Sequence, residues 1–231
     1  MIVCVTGTGT DVGKTVAAAA LASVWSQRGH DVRVVKPIQT GEEAGQGDAT
    51  TVARLSGVPV AEGWRYPEPL APNLAARRAG MPTPTLTELT QWIREHDVDN
   101  GVLLVEGAGG LLVRLAVDVT LLSVCAELSA PLVVVSSLGL GSLNVAELTV
   151  REARRAGVRV AGLIGGSMPT EPDLATLLNI DELPAVTGVE LWGALPAGIG
   201  ECEAEEFAVI AQQALGAIPD PTQLPGRRRA R

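Results

Sequence analysis

Aromatic residues are nearly missing from this chain: one tyrosine, one phenylalanine and four tryptophans among 231 residues. A core must therefore come from alanine, valine and leucine, which suits parallel strands buried on both faces beneath alanine-rich helices. Lysine is rarer still for its class, since only Lys14 and Lys36 accompany the arginines among 18 basic residues. The two histidines, His30 and His96, fall near helix ends and outside any motif, which argues against a hydrolase built on imidazole–metal ligation. Cys4, Cys125 and Cys202 are widely spaced, with no C-x-x-C pair. That excludes the usual zinc and iron–sulfur patterns and leads us to expect reduced thiols in a cytoplasmic protein. No uncharged apolar run reaches the ~18 residues of a membrane span. The longest apolar tract, 102–150, is broken by Glu106, Arg114, Asp118 and Glu127, and the opening MIVCV has no basic flank or cleavage site. Positive charge is also short, with a formal net charge of −8, so a general nucleic-acid or membrane-surface binder is disfavoured. Any anion bound here must be held by local geometry against the overall field.

What remains is 46% hydrophobic, enough to bury a core, and of a length suited to one α/β domain. Short apolar runs alternate with helix-length segments. Strands are expected at 2–6, 31–37, 102–107, 131–137 and 158–166, and helices at 14–29, 85–97, 120–128, 139–157 and 203–217. A short helix should end at Gly57, while the proline-rich stretch 58–84 reads as irregular with no more than one turn of helix. The alternation predicts a single doubly wound α/β domain over 1–218, with a mostly parallel sheet and helices on both faces. Residues 219–231, ending in PGRRRAR, read as a flexible, solvated tail.

Within this frame TGTGTDVGKT (6–15) departs from the common phosphate-loop pattern G-x-x-x-x-G-K-[ST] by one position, because Thr8 stands where the first glycine should. Yet its context, strand then Gly/Thr loop then Gly-Lys-Thr opening an alanine-rich helix, is the one a phosphate loop needs. Glycines let successive N–H groups turn inward, and the helix N-terminus adds partial positive charge. Lys14 should reach the terminal phosphates and Thr15 should place its hydroxyl on Mg²⁺. Lysine scarcity adds independent support. A compact ammonium fits between phosphate oxygens where a forked guanidinium does not, so the second lysine, Lys36, should belong to the same site. It lies at the carboxyl end of a strand, where open parallel sheets bind ligands. VLLVEGAGG (102–110) ends an apolar strand in Glu106, a candidate carboxylate for Mg²⁺, followed by glycines that permit close approach.

TGTGTDVGKT, VVKPIQTG followed by GD, VEGAGG and a late LGLGSLN together resemble the dethiobiotin synthase family of the biotin pathway, in order over most of residues 1–200. RYPEPLAPNLAARRAG is similar to a proline-containing stretch of that family. The resemblance implies a phosphate-loop NTPase fold and a cyclo-ligase that forms the ureido ring of dethiobiotin. Its implied substrates are 7,8-diaminopelargonate, CO₂ and a nucleoside triphosphate, with Mg²⁺ as cofactor. It implies catalytic roles for Lys36 and Lys14, and substrate binding by Thr40. Metal-associated positions fall on Thr15, Asp48 and Glu106. Nucleotide contacts fall on Asp11, Val12, Gly13, Lys14, Thr15, Val16, Asp48, Glu106, Gly107, Ala108 and Gly109. It also implies a homodimer, in which Gly141, Ser142, Leu143 and Asn144 receive the substrate carboxylate across the interface.

One departure stands out. Where many members carry an Asn-Asp pair whose Asn reads adenine, this chain has Gly166 and Ser167; Pro196, Ala197 and Gly198 form the other stretch bordering the base. Base preference should then be relaxed or altered, with CTP competing with ATP. The main rival is a partition-type (ParA/MinD-like) or cluster-carrying ATPase acting as a switch. Those proteins carry an earlier lysine in the loop, and here none precedes Lys14. Amidotransferase-linked synthases of cobalamin assembly would need a glutaminase domain for which the chain has no room.

Overall fold

The computed structural model describes residues 1–216 and 218–224. In chain order the elements are β1 (Ile2–Gly7), α1 (Lys14–Gln27), β2 (Val32–Thr40), α2 (Asp48–Ser56), β3 (Val60–Tyr66), α3 (Pro72–Ala79), α4 (Leu86–Glu95), β4 (Val102–Gly110), α5 (Leu121–Leu128), β5 (Leu132–Ser136), α6 (Ser142–Arg155), β6 (Val160–Met168), α7 (Leu174–Thr187), β7 (Leu191–Pro196) and α8 (Ala204–Leu215). The strands form one seven-stranded sheet in the order β3-β2-β4-β1-β5-β6-β7. Every pairing is parallel. β1 is central, and the chain leaves it toward β2 on one side but reaches β5 on the other. Such a reversal opens a crevice beyond the carboxyl ends of the strands, the usual ligand site of open α/β sheets.

Two cores sandwich the sheet. On one face α1, α2 and α8 pack through Leu21, Trp25, Val52, Leu55, Phe207 and Leu215. On the other, helices α3 to α7 contribute residues such as Ala76, Leu89, Ile93, Val124, Val150 and Leu183. Nine consecutive residues of α1, Ala17–Trp25, are buried. A helix apolar all round must be enclosed, and small alanines let the sheet, α2 and α8 approach it together. Its one bulky anchor, Trp25, is fully buried and donates from Nε1 to Pro219 O at 3.1 Å. Truncating it to alanine should cost about 3–5 kcal/mol.

Three sequence expectations change. The stretch 58–84 is ordered, with edge strand β3 and helix α3, rather than irregular. β3 is half-buried along most of its length, so it shows no apolar alternation. It pairs tightly with β2 all the same: a Cβ on Gly63 would lie 2.4 Å from Pro37 O. α3 starts on Pro72 and stops on Gly80 in the left-handed region, a proline-in, glycine-out frame. Secondly, α7 and β7 complete the sheet edge where no element was expected. Thirdly, the tail is docked over its first part. Trp25 and Arg28 bind the carbonyls of Pro219 and Ile218, His30 pairs with Asp220 at 2.9 Å, and Ile218 and Leu224 are buried. Residues 225–231 of the expected tail lie outside the described residues.

Candidate active site

Beyond β1 the backbone folds back on itself. A Cβ on Gly7 would lie 2.6 Å from Gly9 O. Asp11 (φ 57°) and Gly13 (φ 85°) adopt left-handed conformations. Such reversals turn consecutive N–H groups toward one concavity. Gly13 caps α1 without a side-chain acceptor, leaving the first-turn N–H groups of the helix free for an anion. The loop is pressed onto β6. A Cβ on Gly13 would meet Gly166 O at 2.2 Å, and one on Gly166 would meet Val12 O at 1.6 Å. Gly166 is thus a backbone-to-backbone seat for the loop, and a side chain there would displace it.

Side chains from four elements converge at the loop mouth. Lys14 and Thr15 come from the start of α1, Lys36 from β2 and Glu106 from β4; Asp48 opens α2. Glu106 is 1% exposed, and its Oε1 accepts from Thr15 Oγ1 at 2.8 Å and from Lys36 Nζ at 3.2 Å, with Lys14 Nζ at 3.5 Å. Lys36, itself 3% exposed, also donates to Gly107 O at 2.9 Å and pairs with the Asp48 carboxylate. Two ammoniums thus face two carboxylates, with Lys36 and Glu106 buried and Asp48 partly exposed.

The electrostatics follow from that neighbourhood. Burial pulls Lys14 below the ordinary lysine value, and the adjacent charge of Lys36 pulls the same way against Glu106 and Asp48. Burial also works against the Lys36 ammonium, but Glu106 and Asp48 outweigh it and raise its pKa. Asp48 is pushed up by burial and, more strongly in sum, drawn down by Lys36, Lys14 and Thr15. The network thus favours the charged forms of Lys36 and Asp48, whereas burial and the neighbouring Lys36 work against the ammonium of Lys14.

Thr15, Asp48 and Glu106 surround a place suited to a hard cation. Among the described residues three buried side-chain polar atoms have no hydrogen-bond partner, and two of them, Glu106 Oε2 and Thr8 Oγ1, belong to this loop-and-strand site. Buried polar atoms are nearly always satisfied, so an orphaned carboxylate oxygen marks a position for a donor or cation. No cluster of three or more His, Cys, Asp or Glu occurs among the described residues. Mg²⁺ does not require one: it keeps waters and takes one or two carboxylates plus phosphate oxygens. The donor set fits.

A cavity of about 890 Å³ opens onto this cluster, lined by Asp11, Gly13, Lys14, Thr15, Val16, Lys36, Thr40, Asp48, Ala108 and Gly109, among others. The remaining candidates lie elsewhere. Gly141, Ser142, Leu143 and Asn144 form the turn into α6 and line no part of that cavity. Gly166 is buried under the loop, Ser167 is exposed, Pro196 ends β7, and Ala197 and Gly198 follow it, where Ala197 N donates to Met168 O at 2.7 Å. Sequence reasoning missed the residues that brace these parts. Asn179 of α7 donates from Nδ2 toward Leu138 O and Gly139 O, both at 2.9 Å, and lies 3.1 Å from Ser142 Oγ. Gln39 and Arg65 hold the loop before Asp48. Gln39 sat inside the quoted KPIQTG stretch, whereas Asn179 and Arg65 carry no local signal.

Fold and site together define a phosphate-loop nucleotide-binding protein. A family model described as an AAA domain matches residues 2–199. Solved structures share the fold at low identity. A ParA-family ATPase from Chlorobium tepidum aligns with TM-score 0.56 and 16% identity, covering 94% of this chain and 91% of its own. The MinC:MinD cell division complex of Aquifex aeolicus aligns with TM-score 0.52 and 12% identity, over 99% of each chain. Among curated proteins, the ATP-dependent dethiobiotin synthetase BioD of Corynebacterium efficiens is 58% identical over 93% of this chain and 97% of its own length. That of Corynebacterium diphtheriae is 54% identical over 91% and 95%, and that of Rhodococcus erythropolis 50% over 94% and 98%. The chain belongs to the ATP-dependent dethiobiotin synthetase family, a family of ligases.

Proposed function

We propose that this protein closes the ureido ring of dethiobiotin from 7,8-diaminopelargonate, CO₂ and a nucleoside triphosphate. The observation that carries the reading is the convergence of the chain's two lysines on Glu106 beside the phosphate loop. One amine of the diamine captures CO₂ as a carbamate and releases a proton. The carbamate oxygen attacks the γ-phosphorus, giving a carbamic–phosphoric anhydride and a nucleoside diphosphate. The second amine then attacks the carbonyl carbon and expels inorganic phosphate.

No nucleophilic side chain is needed in this sequence; positioning and charge neutralisation are. An anionic carbamate must approach an anionic phosphate, and Lys14 and Lys36 supply the cations between them. The loop N–H groups hold the phosphates, and Thr40, at the cavity wall, offers a hydroxyl to the diamine. Mg²⁺, held by Thr15, Asp48 and Glu106, would supply further neutralisation of phosphate charge. The α6 turn, Gly141–Asn144, lines no part of that cavity and follows Leu140, which is 94% exposed; both fit a homodimer whose partner receives the substrate carboxylate there. No helix among the described residues is long and apolar enough to cross a membrane.

With Gly166 under the loop, the base is read by backbone groups of 196–198, and CTP competes with ATP. Turnover with ATP, CTP, GTP and UTP tests this; use of ATP alone refutes it. The reaction itself is tested by Mg²⁺-dependent nucleotide hydrolysis. It should rise sharply only when diamine and bicarbonate are both present, whereas stimulation by a protein partner without the diamine would overturn the assignment.

A further inference from the structure

Asp48 reaches Lys36 from the end of a segment poorly suited to staying put. Residues 41–47 include Gly41, Gly45 and Gly47, all with positive φ (78°, 83° and 114°). Glycine-rich backbone loses the most entropy on ordering, so something must hold this loop.

Two side chains do so from beneath. Gln39 of β2 and Arg65 of β3 are paired in register across the parallel strands, so they share a face of the sheet. The Arg65 guanidinium is oriented by Glu62 through two bonds of 2.7 and 2.6 Å. It then gathers three loop carbonyls: Glu42 O at 2.6 Å, Glu43 O at 2.7 Å and Gln46 O at 2.8 Å. Gln39 is 5% exposed; its Oε1 accepts from Asp48 N at 3.0 Å, and its Nε2 donates to Thr40 O at 3.1 Å. A Cβ on Gly47 would lie 2.9 Å from Gln39 Cδ and Oε1, so the backbone rests flush on that amide. The planar fork of arginine suits three converging carbonyls, whereas lysine is a single point charge.

We propose that Arg65 and Gln39 are positioning residues that clamp loop 41–47 in the one shape that presents Asp48 to Lys36. Neither is hydrogen-bonded to Lys36 or to the phosphate loop among the described residues, although Gln39 also lines the cavity; their hold on the site runs through Asp48. The catalytic consequence rests on the function proposed above, but the clamp itself does not.

The test uses Arg65→Lys and Gln39→Ala in the full chain, each read in two ways. First, backbone hydrogen–deuterium exchange over 41–52, in protein free of metal and nucleotide, should quicken by about tenfold or more while the central strands keep their protection. Second, kcat for diamine-dependent nucleotide turnover should fall by about tenfold to a hundredfold with the diamine KM nearly unchanged, as expected for a misplaced group. Unchanged exchange over 41–52 overturns the clamp. Faster exchange spread evenly over the whole chain does so too, and faster exchange over 41–52 with normal kcat overturns the positioning role. If one variant does not fold, the other and Glu62→Gln, which frees the guanidinium without removing it, carry the same two readouts. A wild-type protein without diamine-dependent turnover defeats the proposed reaction and leaves the exchange experiment to decide the clamp alone.

Discussion

Two glycine turns in this molecule lead into 14-residue helices, and both end in a left-handed cap: Gly13 (φ 85°) before α1 and Gly141 (φ 90°) before α6. Neither has a side-chain cap, so both leave helix N–H groups open. The backbone device is the same; the surroundings differ. The first turn is seated on β6 and faced by Lys14, Lys36, Glu106 and Asp48. The second sits at the surface beside Leu140, and a single buried amide, Asn179, braces its carbonyls. A helix N-terminus alone favours an anion only modestly. The charged side chains around it decide whether it can hold a polyphosphate or only a weaker anion such as a carboxylate.

The largest effect should come from replacing the compact ammonium at the first turn. Lys36→Arg keeps the charge but replaces an ammonium that fits between Glu106, Asp48 and Gly107 O with a wider fork. Turnover should drop by about a hundredfold to a thousandfold, as when a transition-state electrostatic partner is lost. Near-normal steady-state rates would remove the argument from lysine scarcity.

Next comes the seat of the loop. Gly166→Ala puts a methyl 1.6 Å from Val12 O, so either the loop or β6 must move. Melting should show a loss of about 1–3 kcal/mol, and nucleotide affinity measured by calorimetry should fall with it. The equivalent change at Gly141, where an added Cβ meets nothing within 4 Å, carries only the strain of positive φ. If the two glycines proved equally sensitive, the contrast between a seated and an open turn would fail.

A smaller effect is expected at the second turn. Asn179→Ala leaves the carbonyls of Leu138 and Gly139 without their buried donor, which should cost about 1–3 kcal/mol in stability. It should raise the diamine KM while leaving nucleotide affinity intact. Loss of nucleotide binding instead would mean that the two turns are not separate sites.

The smallest effect sharpens the same side. Asp173 caps α7, the helix that carries Asn179, by accepting from Thr176 N at 2.8 Å. Hydrogen bonds from Thr176 hold its carboxyl below the ordinary aspartate value. A depressed folded pKa contributes stability above the unfolded value that is lost as pH falls through the folded one. Asp173→Asn should therefore flatten the acid side of the melting-temperature profile below about pH 4, a difference readable by calorimetry across a pH series.

The first turn was legible because its parts are contiguous. Ten residues, Thr6–Thr15, carry the loop, the lysine and the hydroxyl, and their chemistry needs little from elsewhere. Lys36 and Glu106 were legible for a related reason, each lying on an apolar strand whose direction the parallel pattern already implies, although β2 and β4 run on past the expected ends to Thr40 and Gly110. The second turn was legible as a glycine-led helix start, yet its brace was not. Asn179 lies about forty positions away on α7, a helix interrupted by Pro184 and bearing exposed Leu174, Leu177 and Leu178. Arg65 was hidden likewise, on an edge strand too half-buried to alternate.

The sequence by itself determined the phosphate loop, the parallel α/β alternation and the lysines on which the chemistry turns, because each is written in neighbouring residues or in a local period. Tertiary structure decided what no local pattern encodes. It set the seat of the loop on Gly166, the convergence of both ammoniums on one oxygen of Glu106, and the bracing by Gln39, Arg65 and Asn179. These depend on which strands become neighbours and on how closely backbones approach. That is settled only when the sheet assembles and its helices bury both faces.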